Sequence, residues 1–331
     1  MVNLGTPDSP SRSDVKKYLT QFLTDGRVID KPWLFRQFLV RGVITPFRSG
    51  QSAKLYEKLW TERGSPLKYY GEDLLDGVNE LLPDNYFVEF AMRYQSPSME
   101  DGLQKLLKRN IQKLIIYPLF PHYASASLGS VYEEVFRLLS KEQAIPELNF
   151  LGSFPDDDAM ANVFSDHARR FDLSSYDHFV FSYHGLPLGQ ILKADRNNYC
   201  RNDGECCKTW SETNHLCYVA QCFETTRKIT ENLGLTEDQY SICFQSRLGR
   251  EEWIKPYTPK ILEERAKNGD KRLLVFSPAF VSDCLETTIE ILDEYQEEWH
   301  EMGGEHLDLV ESLNADPVWI KSVADRIVAA T

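Results

Sequence analysis

Short apolar runs alternate with stretches of helical periodicity through most of this chain, and that alternation leaves few folds open. Tyr86–Met92, Leu114–Leu119, Asn149–Gly152, His178–Tyr183, Tyr240–Gln245 and Arg272–Ser277 read as strands. Helices are expected near Ser98–Lys108, Ser130–Leu139, Tyr218–Asn232, Lys260–Asn268 and Leu285–Met302, with a last one after Pro317. A further helix follows Ser13, read as its cap, with Val15, Tyr18, Leu19, Phe22 and Leu23 at helical spacing. Repeated alternation of this kind implies an α/β fold, a parallel sheet with helices on both faces. Ligands in such sheets bind beyond the carboxyl ends of the strands. The first apolar run, Val2-Asn3-Leu4, is too short for a core strand. Either it lies at an edge or the chain is a truncated version of a longer one, and truncation is the favoured reading.

The length of 331 residues allows one large α/β domain or two similar lobes. The irregular, Asp-rich stretch Pro155–Asp158 suggests a boundary, giving lobes at about 1–160 and 161–315 and a terminal helix at 316–331 that packs back on the first lobe. The net charge of -13 excludes a basic nucleic-acid footprint. No apolar run is long enough to span a membrane, and the start has no signal-peptide layout, so a cytoplasmic location is expected. The segment 31–47 is unusual: Trp33, Phe35, Phe38 and Leu39 are many large apolar groups, punctuated by Arg36 and Arg41. It is either a core helix or an apolar lip that meets a ligand or a membrane interface.

Four loops at strand ends carry groups capable of chemistry. His184 sits where the apolar run Phe179–Tyr183 gives way to Gly185 and Pro187, as a base, a metal ligand or a structural histidine. Asp283, Glu286 and Glu290 are spaced to share one helix face, as a solvated acidic face or as oxygen ligands that strip water from a divalent cation. Arg247 and Arg250 offer bidentate partners for acidic groups, and Trp253 a flat surface. Pro121-His122-Tyr123 leads into a run of small hydroxyl residues. Neither a Walker A loop nor a strand-linked G-x-G-x-x-G is present, so nucleotide binding loses its usual support.

Five of the seven cysteines, Cys200, Cys206, Cys207, Cys217 and Cys222, fall in one segment at about 198–222. The count is odd and clustered, unlike a secreted disulfide scaffold. Such a density suits an iron–sulfur cluster or structural zinc, or else unligated thiols, and no C-x2-C pair matches a standard finger.

Taken together, Asn3-Leu4-Gly5-Thr6-Pro7, Pro121-His122-Tyr123, Ser182-Tyr183-His184-Gly185, Phe244-Gln245-Ser246-Arg247-Leu248-Gly249-Arg250-Glu251 and Asp283-Cys284-Leu285-Glu286-Thr287 resemble the ferrochelatase family. The match runs over essentially the whole chain. The resemblance implies two similar Rossmann-like lobes with a porphyrin cleft between them, and insertion of Fe2+ into protoporphyrin IX. It puts the family's metal-site histidine on His184 and its glutamate on Glu286. Asp283 and Glu290 match acids that line a metal or proton route. Arg93 and Tyr94 match a cleft pair on the opposite wall; Leu4, Arg48, Tyr123 and Trp253 match positions near the porphyrin or its carboxylates. The segment 31–47 resembles the lip of protoporphyrin-using members, which implies peripheral contact with a membrane surface. Some members carry a 2Fe–2S iron–sulfur cluster, so one is plausible on the cysteine segment, which looks like an insertion. Coproporphyrin or cobalt chelation on the same fold, and a non-catalytic tetrapyrrole or metal carrier, are the rival readings.

Overall fold

The computed structural model describes residues 1–247, 249 and 251–331; Leu248 and Arg250 of the basic strand-end loop lie outside the described residues. The chain divides into two compact units, Met1–Phe120 with Ser125–Ser153 and Pro317–Thr331, and Pro121–Ala124 with Phe154–Asp316.

The first unit holds strands β1 (Val2–Gly5), β2 (Ala91–Tyr94), β3 (Lys113–Ile116) and β4 (Glu147–Phe150). β1 pairs in parallel with β2, and β3 with β4. A bridge from Val2 to Pro118 joins the two pairs, with the Val2 N–H donating to Tyr117 O at 2.8 Å and the Leu119 N–H to Val2 O at 2.8 Å. Val2–Leu4 is therefore an interior strand, which corrects the expectation that the run is too short for the core. Neighbours on both sides satisfy its backbone, so few residues suffice. At its end Gly5 adopts φ +125, and a Cβ there would lie 2.1 Å from Tyr94 O, so only glycine lets β1 run this close to β2.

The second unit holds β5 (His178–His184), β6 (Tyr240–Gln245), β7 (Arg272–Phe276) and β8 (His306–Leu309), all parallel, in the order β6-β5-β7-β8. Each unit thus places its second strand outside its first, then its third and fourth on the other side. Leu114, Val131 and Leu138 centre one core; Val180, Leu273, Val275, Trp299 and Leu307 centre the other.

Several boundaries differ from the sequence reading. Residues 86–90 pair with no strand, and regular pairing begins at Ala91 opposite Val2. The first helix spans Arg12–Thr24 and is capped by Ser11, whose hydroxyl accepts from the Asp14 N–H at 3.3 Å; Ser13 lies inside it. The expected helix Leu285–Met302 is a π-helix over Glu286–Tyr295 that continues as an α-helix over Gln296–Glu301. The segment 31–47 is not a core helix. Trp33, Leu34, Phe35, Phe38 and Phe47 are all exposed, and Phe47 reaches 79%. Arg36 holds its base by donating to the carbonyls of Thr24, Ile29 and Lys31. The terminal helix Pro317–Ala329 packs on the helix Pro66–Leu81, where a Cβ at Gly77 would meet Ile320 at 2.6 Å.

His122 is sealed inside the second unit, edge-on to Tyr183 and Tyr218, with Nε2 2.9 Å from the Thr225 hydroxyl. Burial pushes its pKa down to about 3. Below the usual imidazole value the unfolded chain takes up a proton that the folded chain refuses, so stability is lost as pH falls from about 6.5 to about 3. Wild-type protein should accordingly lose stability more steeply than His122→Gln across that window, by ~1.4 kcal/mol per pH unit. Thermal melts at successive pH values test this, and parallel curves would contradict it.

Candidate active site

β5 is buried along its whole length until His184, its last residue, which is half-buried. Gly185 must follow, because a Cβ there would meet Gln245 O at 2.7 Å and the Trp253 ring at 3.1 Å. The His184 Nδ1 lies 2.6 Å from Gly185 O. A carbonyl only accepts, so Nδ1 carries a hydrogen, and in the neutral form of the ring it is Nε2 that offers the lone pair. The Tyr218 hydroxyl donates to the His184 carbonyl at 2.8 Å. Trp253 and Phe280 flank the imidazole with centroids at 6.5 and 6.3 Å.

One buried amide ties this corner together. Gln245, at the end of β6, is the register partner of His184. Its Oε1 accepts from Ser182 Oγ at 2.7 Å, and its Nε2 donates to the Glu286 carbonyl and to Glu290 Oε2, both at 3.1 Å. Gln245 thus brings the strand that carries His184 to the first turn of the helix that carries Glu286. The signal in the sequence was only its place at a strand end, and its role as a tie could not be read there.

The three acids are not equivalent. Asp283 precedes the helix in a loop, so it does not share a helix face with Glu286 and Glu290. The expected spacing fails because the chain reaches helical geometry only at Leu285 and then widens into π form. Its carboxylate accepts from the Asn314 amide at 2.8 Å, the Thr287 hydroxyl at 3.2 Å and the Ser312 N–H at 3.4 Å. Glu290 is similarly engaged. Ser246, held at φ 64, gives it a backbone N–H at 2.8 Å and a hydroxyl at 2.5 Å, and the Tyr295 hydroxyl donates at 3.0 Å. Glu286 is half-buried on the first turn; the buried Cys284 thiol is hydrogen-bonded to it, and burial together with the Glu286 charge pushes that thiol well up.

In the first unit, Arg93 and Tyr94 end β2 and are joined by two residues the sequence did not single out, Asp25 and Ser130. Asp25 Oδ2 accepts from Arg93 Nη2 at 2.9 Å, the Tyr94 hydroxyl at 2.8 Å and Ser130 Oγ at 2.6 Å. Leu4 is half-buried at the end of β1, and Arg48 is exposed on the helix Thr45–Leu59. In the second unit, Tyr123 is half-buried with its N–H on Gln221 Oε1 at 2.6 Å, and Arg247 lies over the Tyr257 ring at 4.9 Å.

Four of the five clustered cysteines form a chain of thiols. Cys206 and Cys207 sulfurs are 3.7 Å apart, Cys207 and Cys217 sulfurs 4.0 Å, and Cys200 is hydrogen-bonded to Cys206. The hydrogen bond from Cys207 draws the Cys217 pKa down to about 7. Cys222 is turned into the core of its helix, where burial pushes its thiol well up. A pocket of about 150 Å³ lies against Cys200, Cys206 and Cys217. Among the described residues, no three His, Cys, Asp or Glu side chains converge on one metal position as they stand.

Comparison with known proteins gives this geometry a family. The ferrochelatase family model matches residues 1–331. A ferrochelatase of Coxiella burnetii is 43% identical over 328 residues, covering 98% of this chain and 91% of its own. One from Legionella pneumophila is 39% identical over 323 residues, covering 98% and 96%. Among solved structures, SirB from Bacillus subtilis with Fe3+ superposes with a TM-score of 0.55 at 12% identity, over 81% of this chain and 92% of that one. The last likeness concerns the fold alone. Full-length agreement with the family model and with these relatives establishes that the chain belongs to the ferrochelatase family.

Proposed function

We infer that this chain catalyses the reaction its family is named for, with protoporphyrin IX as the porphyrin and protohaem as the product. Family membership over the full length carries the reaction class: the chain is a lyase that inserts ferrous iron into a porphyrin. The observation that carries the site assignment is the end of β5. A strand buried to its last residue delivers one half-buried imidazole whose Nδ1 is engaged by Gly185 O, and Gln245 ties that strand end to the turn bearing Glu286.

Insertion requires two pyrrole N–H protons to leave and Fe2+ to lose its water. In this proposal the Nε2 of His184 accepts a pyrrole proton or holds the iron, and Glu286, the least committed of the three acids, takes the complementary part. Asp283 and Glu290 lie along the passage for ions or protons, their shape fixed by Asn314, Thr287, Ser246 and Tyr295. Arg93, Leu4, Arg48, Tyr123 and Trp253 contact the macrocycle or its carboxylates, whereas Tyr94, expected beside them from the sequence, is only 2% exposed and backs the Arg93 guanidinium instead. Binding energy at those remote groups supports distortion of the ring toward the metal.

The exposed apolar segment 31–47 supports the choice of an apolar porphyrin and a peripheral membrane contact on the cytoplasmic side. No helix among the described residues is long and apolar enough to cross a membrane. The thiol chain of Cys200, Cys206, Cys207 and Cys217 fits the all-thiolate donor set of a 2Fe–2S iron–sulfur cluster, and Cys222 falls outside it. Such a cluster would supply one-electron redox chemistry, and Cys200, Cys206, Cys207 and Cys217 would hold it as thiolates, with the hydrogen bond to Cys207 already drawing the Cys217 pKa down to about 7.

Three experiments test these assignments. In anaerobic assays with Fe2+, protoporphyrin should be metallated in preference to coproporphyrin, and His184→Ala should lower turnover by roughly 10²-fold or more while protoporphyrin still binds. Retained turnover in that variant overturns the site. Anaerobically purified protein should show visible absorption with iron and sulfide, lost in Cys→Ser variants at 200, 206, 207 and 217 and kept in Cys222→Ser. A colourless protein with stoichiometric zinc would instead indicate structural zinc. Co-sedimentation with phospholipid vesicles should weaken in Trp33→Asp/Phe38→Asp, and unchanged binding would remove the lip from membrane contact.

A further inference from the structure

We propose that Asp25 is a positioning residue for the porphyrin, fixing Arg93, backed by the buried Tyr94 ring, in the orientation in which it receives the ligand. The proposal rests on the assignment of Arg93 to porphyrin contact.

The placement of Asp25 is costly. It caps the carboxyl end of the helix Arg12–Thr24, where the helix dipole disfavours an anion, and no basic residue stands in the last turn to offset it. The side chain is 9% exposed, so its charge is also largely stripped of water. Burial raises its pKa, and the bonds from Ser130 and the Arg27 N–H, the Arg93 charge and the Tyr94 hydroxyl outweigh that, leaving it below the usual carboxylate range. A buried ion pair of this kind is weak evidence for stability, since apolar replacements often do as well. Its distinctive product is geometry.

That geometry is one-sided. Arg93 gives Nη2 to Asp25 and Nε to Ser130 Oγ at 2.8 Å, and its guanidinium carbon lies 4.7 Å over the Tyr94 ring. One edge of the guanidinium is therefore clamped. Among the described residues its Nη1 meets no acceptor, so two N–H groups point away from the clamp in a fixed plane. Tyr94, buried at 2% exposure, donates to the same oxygen and so helps to hold the carboxylate that clamps Arg93. Without the carboxylate, the guanidinium is held only through Nε on Ser130, its Nη2 edge is released, and porphyrin binding must then order that edge.

The test is a mutant cycle in the full-length chain, read by porphyrin fluorescence titration and by anaerobic turnover. Asp25→Asn keeps the shape and removes the charge. It should weaken porphyrin binding roughly tenfold, the size of one charge-assisted hydrogen bond, and raise the porphyrin KM in step. The KM for Fe2+ should stay at the wild-type value. Arg93→Gln should weaken porphyrin binding similarly, and Asp25→Asn/Arg93→Gln should add little to either single change. Additive losses, or equal shifts in both KM values, would overturn the proposal. Should Asp25→Asn fail to fold, Ser130→Ala keeps the ion pair and removes one of its supports; weakened porphyrin binding then upholds the proposal and wild-type binding overturns it. If Arg93→Gln itself binds porphyrin normally, the underlying assignment of Arg93 fails. If only Asp25→Asn binds normally, the assignment stands and the positioning role falls.

Discussion

Parallel strands covered on both faces have only their ends to offer a ligand, and that constraint governs both units. β5 shows it most plainly: six buried residues precede one half-buried histidine. A polar group farther down the strand would be walled in by side chains, as His178 is at the other end, where burial and the Arg265 charge depress its pKa to about 4. Polar chemistry is therefore confined to the carboxyl edge, and the loops there must supply everything else.

Strand-end loops are intrinsically loose, and each unit fastens its own with a buried polar knot. In the second unit the knot is Gln245, whose amide is satisfied by Ser182, Glu286 and Glu290. In the first it is Asp25, satisfied by Arg93, Tyr94, Ser130 and the Arg27 N–H. Both knots form at the carboxyl end of the second strand of their unit, β6 in one and β2 in the other. A fully satisfied network gains strength from the low dielectric around it, and a half-satisfied one costs more than an apolar core would. The benefit of building such knots lies in holding His184, Glu286 and Arg93 at defined positions.

Most strands and helices were legible in the sequence because apolar periodicity reports burial directly. The helix Ser130–Leu139 and the strand Tyr240–Gln245 follow their patterns residue for residue. β8 was missed because its alternating, half-exposed residues His306–Leu309 carry little apolar signal. β1 was misread because periodicity cannot show that four residues have partners on both sides. Asp283 was misplaced for a similar reason: sequence spacing assumes α-helical geometry from the first acid, and the loop and π-helix break that assumption. Asp25 and Ser130 lay 68 and 37 residues from Arg93 with no shared motif, so only folding could reveal the knot they make.

The cysteine segment extends the same logic to a second kind of chemistry. It lies in the connection between β5 and β6, before the helix Tyr218–Leu233, so its thiols interrupt no strand. Carboxylate and imidazole groups occupy the strand ends, and the soft sulfur groups are gathered in the connection between β5 and β6, so hard and soft donors are kept apart. The separation is not complete mechanically. Cys217 caps the helix whose first residue, Tyr218, holds the His184 carbonyl. The hydrogen bond between Cys207 and Cys217 also draws the Cys217 pKa down to about 7. The residue that ends the thiol loop thus adjoins the one that fixes the backbone of the imidazole, and a single turn of helix links the thiol loop to the end of β5.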